Sequence, residues 1–143
     1  MADIDFFNQD ISFTLPNSIK TRRWIRAVIA AEKKQLAHLN YIFCSDEYLL
    51  SLNRQYLKHR TLTDIITFDH SENRGEIEGD IFISIDRVKE NAEKLGTPFV
   101  DELHRVMIHG VLHLAGYADK SPADKTRMRR KEDASLSLRD RRG

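Results

Sequence analysis

Residues 98–116, PFVDELHRVMIHGVLHLAG, decide the fold. Thr97 and Pro98 suit the cap and first position of a helix, and Gly116 suits its end. Between them Leu103, Val106, Met107, Gly110, Val111 and Leu114 recur at three- and four-residue steps, which places them on one buried stripe of a helix running to about Ala115. Before this helix, Thr63 to Phe68 and Asp80 to Ile85 are rich in β-branched and aromatic residues. They predict two neighbouring strands, with the polar stretch Ser71 to Gly79 as an exposed loop between them.

Outward from this centre the chain alternates strands and helices. Ile11, Phe13 and Leu15 alternate with polar neighbours up to Pro16, the pattern of a half-buried first strand. Asn17 or Ser18 caps an amphipathic helix reaching to about Ala37, with Ile19, Ile25, Val28, Ala31 and Leu36 on its apolar side and Arg22, Arg23 and Arg26 interleaved. Tyr41 to Cys44 reads as an interior strand, and Ser45 caps a helix carrying Tyr48, Leu49, Leu52 and Tyr56. Helical composition returns at Val88 to Leu95, where Gly96 closes the helix. Ser121-Pro122-Ala123-Asp124 opens a last one. No repeat, low-complexity segment or linker divides the 143 residues, so residues 1–143 are expected to form one domain.

Composition excludes several classes. With 23 Lys and Arg against 22 Asp and Glu the net charge is +1, so any nucleic-acid surface must be a local patch. A single cysteine, Cys44, permits neither an internal disulfide nor a multi-thiolate metal site. The acidic N-terminal segment lacks the form of an export signal, and no apolar run is long enough to span a bilayer. A cytoplasmic protein without membrane association is expected.

His109 and His113 lie four apart beside the buried stripe, so their imidazoles project one turn apart from one face, a spacing that lets two nitrogens reach one ion at about 2.0–2.1 Å. Gly116 ends the helix, and the chain can then bring the Asp119 carboxylate back over that face as a third ligand. Three protein ligands leave one position open, the habit of catalytic zinc sites. The common zinc-peptidase signature requires Glu directly after its first His, and that place is held by Gly110. Glu102, seven residues before His109, projects from roughly the same side and could orient a ligand or act as a base. His38, His59, His70 and His104 lack the chelating spacing and are expected to be ordinary surface or hydrogen-bonded residues, although His59 and His70 flank a strand that leads toward the site. Lys58 and Arg60 are candidate phosphate contacts, and the clusters Arg22/Arg23/Arg26 and Arg127/Arg129/Arg130/Lys131 could follow a nucleic-acid backbone.

The run His109-Gly110-Val111-Leu112-His113-Leu114-Ala115-Gly116-Tyr117, followed by Asp119, resembles the H-G-x-L-H-L-x-G-Y-D-H signature of the YbeY family of single-strand-specific endoribonucleases. Ala118 and Asp119 depart from it, Asp119 standing where that family has its third metal-binding His. Leu52-Asn53, Tyr56, residues 63–68 and Gly79-Asp80-Ile81 with Ser84 extend the resemblance. After Tyr56 the family has an Arg implicated in activity, and this chain has Leu57. The resemblance implies an α+β domain with a sheet of about four strands, about five helices, and the metal-bearing helix packed near the sheet. It implies one divalent ion, with Zn²⁺ the expected one. It also implies action on single-stranded RNA, in maturation of the small-subunit (16S) rRNA 3′ end and in ribosome quality control, with the small subunit as a partner. The ion held by His109, His113 and Asp119 would polarise a phosphodiester oxygen and supply or orient the attacking water, while Lys58 or Arg60 balances phosphate charge. The alternatives are a metal-dependent hydrolase of a non-RNA substrate and a non-catalytic ribosome-assembly protein with a structural metal.

Overall fold

In a computed structural model, described over residues 3–57 and 63–139, the chain forms one α+β domain with five α-helices and a mixed four-stranded sheet. The strands are β1 (Asp3–Asn8), β2 (Gln35–Cys44), β3 (Ile65–Asp69) and β4 (Glu76–Ser84). The helices are α1 (Ser18–Ala31), α2 (Asp46–Leu52), α3 (Ile85–Leu95), α4 (Phe99–Leu114) and α5 (Pro122–Leu136), and a π-helical turn, Asn53–Leu57, follows α2. The sheet order is β1-β2-β4-β3, with β1, β2 and β4 parallel and β3 antiparallel on the edge.

Strand parity assigns the two faces. Cross-strand partners share a face, so Ile4 with Leu39, Tyr41 with Ile81, Phe43 with Ile83, and Ile83 with Ile65 all point to one side. There they join Trp24, Ile25 and Val28 of α1, Val88 of α3, the apolar stripe of α4 and Met128 of α5 in the main core. The opposite side is covered more thinly: Leu49 and Leu52 of α2 pack with Cys44 and Ile66, beside Tyr48, Phe68 and Phe82.

Two features hold α4 against the sheet. The buried Tyr41 hydroxyl donates to the Met107 carbonyl at 3.0 Å, and desolvation raises its pKa so that it stays a neutral donor. Gly110 meets the sheet with no side chain at all: a Cβ there would lie 2.8 Å from the Ile81 Cδ1 methyl and 3.0 Å from that of Ile65.

Several expected boundaries move. The first strand is Asp3–Asn8, not residues 11–15. Ile11, Phe13 and Leu15 do bury alternately, but in a segment outside any ladder. Burial with period two therefore reported packing and not pairing. α1 ends at Ala31 instead of reaching Ala37, because Lys33 takes a left-handed conformation (φ 59°) and β2 begins at Gln35. Ile19, expected on its apolar side, is exposed. β4 begins at Glu76 inside the expected loop, since its alternation of Glu76, Ile77, Glu78 and Gly79 buries only Ile77 and Gly79. Thr97 does not cap α4. Its N–H closes α3 by bonding to the Ala92 carbonyl at 3.0 Å, and Pro98 occupies the cap position without a side-chain bond. At α5 the expected start holds, with Ser121 and Asp124 forming a reciprocal capping box and Pro122 in the first turn.

Candidate metal centre

The last turns of α4 present His109 and His113 on one side, their rings 4.6 Å apart and nearly perpendicular. Gly116 then adopts φ 108°, a conformation that ordinary side chains resist, and the chain reverses. Its N–H bonds to the His113 carbonyl and that of Tyr117 to the Leu112 carbonyl, both at 3.0 Å, satisfying the helix end. The returning segment is anchored by Tyr117, whose hydroxyl donates to Glu32 at 2.7 Å, while Lys131 reaches the other Glu32 oxygen at 3.1 Å. Asp119 is thereby brought over the histidine face, as the placement of Gly116 suggested.

One donor atom from each of His109, His113 and Asp119 lies within 4.8 Å of the other two. The His109 Nε2 to Asp119 Oδ2 distance is 3.4 Å, close to the separation of about 3.3 Å expected for neighbouring tetrahedral ligands on an ion at about 2.0–2.1 Å. Two imidazoles and a carboxylate are also a suitable donor set for a divalent ion of zinc type.

Behind His109 stands Glu132 of α5, only 5 % exposed. Its Oε2 accepts from His109 Nδ1 at 2.7 Å and its Oε1 accepts from Arg105 at 2.8 Å. Burial alone would push the Glu132 carboxyl up, but the His109 and Arg105 hydrogen bonds and charges outweigh it and hold the group below its ordinary value. An ionised Glu132 can only accept, so His109 carries a proton on Nδ1, and in the neutral imidazole Nε2, on the Asp119 side, is the nitrogen left with a free lone pair. This is the carboxylate–histidine arrangement that fixes a metal-binding imidazole from behind.

Asp64, Ile65, Glu102, Arg105, Val106, His109, Asp119, Arg129 and Glu132 line a cleft of about 270 Å³ beside these residues. Desolvation is the main cause that raises the Asp64 carboxyl pKa, and His109 partly offsets it. Glu102 is raised by desolvation and then by Asp64. For His109 burial acts downward, while Glu132, Asp119 and Asp64 act upward and prevail. His113 is lowered by desolvation and by its neighbour His109.

Of the expected site residues, His109, His113 and Asp119 converge, and Glu102 lines the same cleft. Lys58, Arg60 and His59 fall outside the described residues. His70 does not approach the site: it bonds to Asp80 at 3.0 Å on the sheet face away from α4, where His38 bonds to Asn40 at 2.8 Å. His104 stacks near Trp24 and contacts Arg139. Sequence reasoning missed Glu132, Asp64 and Arg105. A signal for Glu132 existed: it shares the buried side of α5 with Met128 and Ser135 at helical spacing, and a carboxylate on a buried stripe calls for a partner.

Comparison with known proteins agrees with the architecture and the motif together. The solution structure of TM1509 from Thermotoga maritima is similar, with a TM-score of 0.67 at 26% identity over 95% of this chain and 88% of that one. A Cytophaga hutchinsonii protein named Endoribonuclease YbeY is 57% identical over 136 residues, covering 95% of each chain. One of the same name from Flavobacterium psychrophilum is 54% identical over 132 residues, 92% of this chain and 94% of its own. The family model described as Endoribonuclease YbeY matches residues 4–139, and with these relatives it shows that the chain belongs to the YbeY family.

Proposed function

We propose that this chain is a metal-dependent endoribonuclease that hydrolyses single-stranded RNA in the cytoplasm, with maturation of the small-subunit rRNA 3′ end and ribosome quality control as its setting. The observation that carries the proposal is the convergence of His109, His113 and Asp119, with Glu132 seated behind His109. The relatives' name, Endoribonuclease YbeY, supports the activity class, and the signature in residues 109–119 supports the RNA setting. Among the described residues no helix is long and apolar enough to cross a membrane.

His109 Nε2, His113 and Asp119 would hold one divalent ion, with Zn²⁺ the expected species. Bound there, the ion supplies Lewis acidity and eases deprotonation of water near neutral pH. The protein's own part follows from the cleft. Glu132 keeps His109 in the tautomer that leaves Nε2 free, and Arg105 keeps Glu132 ionised. Asp64 and Glu102 line the same cleft, and their raised pKa values make each a stronger base than an exposed carboxylate, placed to take a proton from the attacking oxygen. Peptidase chemistry of the common zinc type is disfavoured for a structural reason: residue 110, where its base would stand, faces Ile81 and Ile65 of the sheet and not the cleft.

The test is incubation of metal-reconstituted protein with matched single-stranded and duplex RNA, including a fragment spanning the small-subunit rRNA 3′ end. Internal cuts in the single strand and an intact duplex are expected. Absence of cleavage in both would overturn the nuclease reading. For the metal, Glu132→Gln should weaken Zn²⁺ affinity by roughly tenfold to a hundredfold, the usual consequence of losing a partner behind a histidine ligand, measured by competition with a chromogenic chelator. Unchanged affinity would remove Glu132 from the centre.

A further inference from the structure

We propose that Arg129 of α5 is a phosphate-binding residue of the cleft, holding a single-stranded RNA backbone beside the His109, His113 and Asp119 centre. The inference rests on the RNA reading above and identifies where that reading finds its fixed positive charge.

The cleft is lined by four carboxyl groups, Asp64, Glu102, Asp119 and Glu132, against two guanidinium groups, Arg105 and Arg129. Arg105 is committed to protein partners: one of its nitrogens is 2.8 Å from Glu132 and the other 2.7 Å from Asp133. Arg129 is exposed and forms no hydrogen bond or ion pair with the other described residues. The reason is visible in Glu132, three residues on and the nearest candidate along the helix, whose oxygens are already taken by Arg105 and His109. Arg129 thus stays available at the wall of an acidic cleft, where its charge is felt by Glu102.

A polyanion approaching this cleft meets carboxylates on most sides, and a divalent ion offsets only part of them. Arg129 is the remaining positive group among the lining residues. Its planar fork suits two oxygens of one phosphate. The basic cluster of α5 seen in the sequence therefore divides by structure. Lys131 is held by Glu32 and lies over the Tyr117 ring, and neither it nor the exposed Arg127 and Arg130 lines the cleft.

The test uses the metal-loaded full chain and a fluorescein-labelled, phosphorothioate-linked single-stranded oligoribonucleotide, whose linkages keep the phosphate charge and resist attack by water, with binding read by fluorescence anisotropy over a salt series and the oligonucleotide checked intact by gel. Arg129→Ala should bind about tenfold more weakly and lower the slope of log affinity against log salt by about 0.7, the share of one phosphate contact on a single strand. Arg129→Lys should recover part of the affinity, and Arg127→Ala should match the wild type. The inference is overturned if Arg129→Ala keeps both affinity and slope, if Arg127→Ala loses as much, or if the wild type does not bind the oligonucleotide. Arg129-dependent binding by a protein that cuts no RNA would uphold it while the nuclease reading fails.

Discussion

Gly110→Val should destabilise the domain by about 3 kcal/mol or more, the upper end of the cost of forcing extra carbon atoms into a packed interior. For a chain of this size that is a fall in melting temperature of about 10 °C. A Cβ at this position would meet Ile81 Cδ1 at 2.8 Å and Ile81 Cγ2 and Ile65 Cδ1 at 3.0 Å. The terminal methyl of Ile81 can turn aside by rotation about χ2, but Cγ2 is attached directly to Cβ and can move only by a change of χ1 within a filled core or by a shift of the backbone. Gly110→Ala provides the informative contrast. Alanine is favoured over glycine inside a helix by about 1 kcal/mol, so the gain in propensity and the crowding against Ile81 oppose each other, and a small net loss is expected. Thermal melts of both variants without metal settle the point, because ligand binding then cannot mask the packing effect. If Gly110→Val melts with the wild type, α4 does not approach the sheet this closely.

That close approach was only half legible in the sequence. Gly110 falls on the apolar stripe of the helix and so was readable as a buried position, but nothing local says which strand it would meet. The expectations that held were those encoded within a few residues: the Gly116 break, the Gly96 closure, and the Ser121 and Pro122 start. The strand boundaries that failed depended on partners far along the chain. The strand Asp3–Asn8 exists because β2 offers it a parallel ladder, Ile4 opposite Leu39 and Phe6 opposite Tyr41, and its acidic flanks conceal that pairing. Residues 76–79 look like loop because every second side chain is a glutamate, yet the intervening Ile77 and Gly79 are buried beneath the helices.

The site shows the same division. His109, His113 and Asp119 fall within eleven consecutive residues, so helix periodicity and one glycine suffice to bring them together. Glu132 comes from the next helix, Asp64 from the approach to β3, and Arg105 from α4 itself, one turn before His109. Their roles appear only when α5 packs across α4 and the end of β4 donates the Ser84 N–H to the Asp64 carbonyl at 3.0 Å. The structure also explains why a cleft so rich in carboxylates is tolerable: Arg105 and His109 share Glu132 between them.

His113→Ala should abolish stoichiometric Zn²⁺ binding and reduce RNA cleavage by at least about a thousandfold, equivalent to about 4 kcal/mol in the barrier. His113 is a cleaner position than His109 for this experiment. Removing His109 would also take a hydrogen bond from the buried Glu132, and a buried charge that loses a partner destabilises the fold in its own right. Low activity in His109→Ala would then have two causes. His113 forms no ion pair with Glu132, and its pKa is lowered mainly by burial and by His109, so its replacement by alanine removes a neutral imidazole and one hydrogen bond to the Tyr117 backbone, a smaller loss than stripping a partner from the buried Glu132. The expected pattern is an apo melting temperature near that of the wild type, loss of the stabilisation that Zn²⁺ confers on the wild type, and loss of cleavage. Chelation of the wild type should reproduce the last two, and the His109→Ala/His113→Ala double variant should bind no metal. Metal content that persists at one equivalent in that double variant would place the ion elsewhere. Cleavage that survives in His113→Ala after its metal is gone would separate the nuclease reaction from this centre.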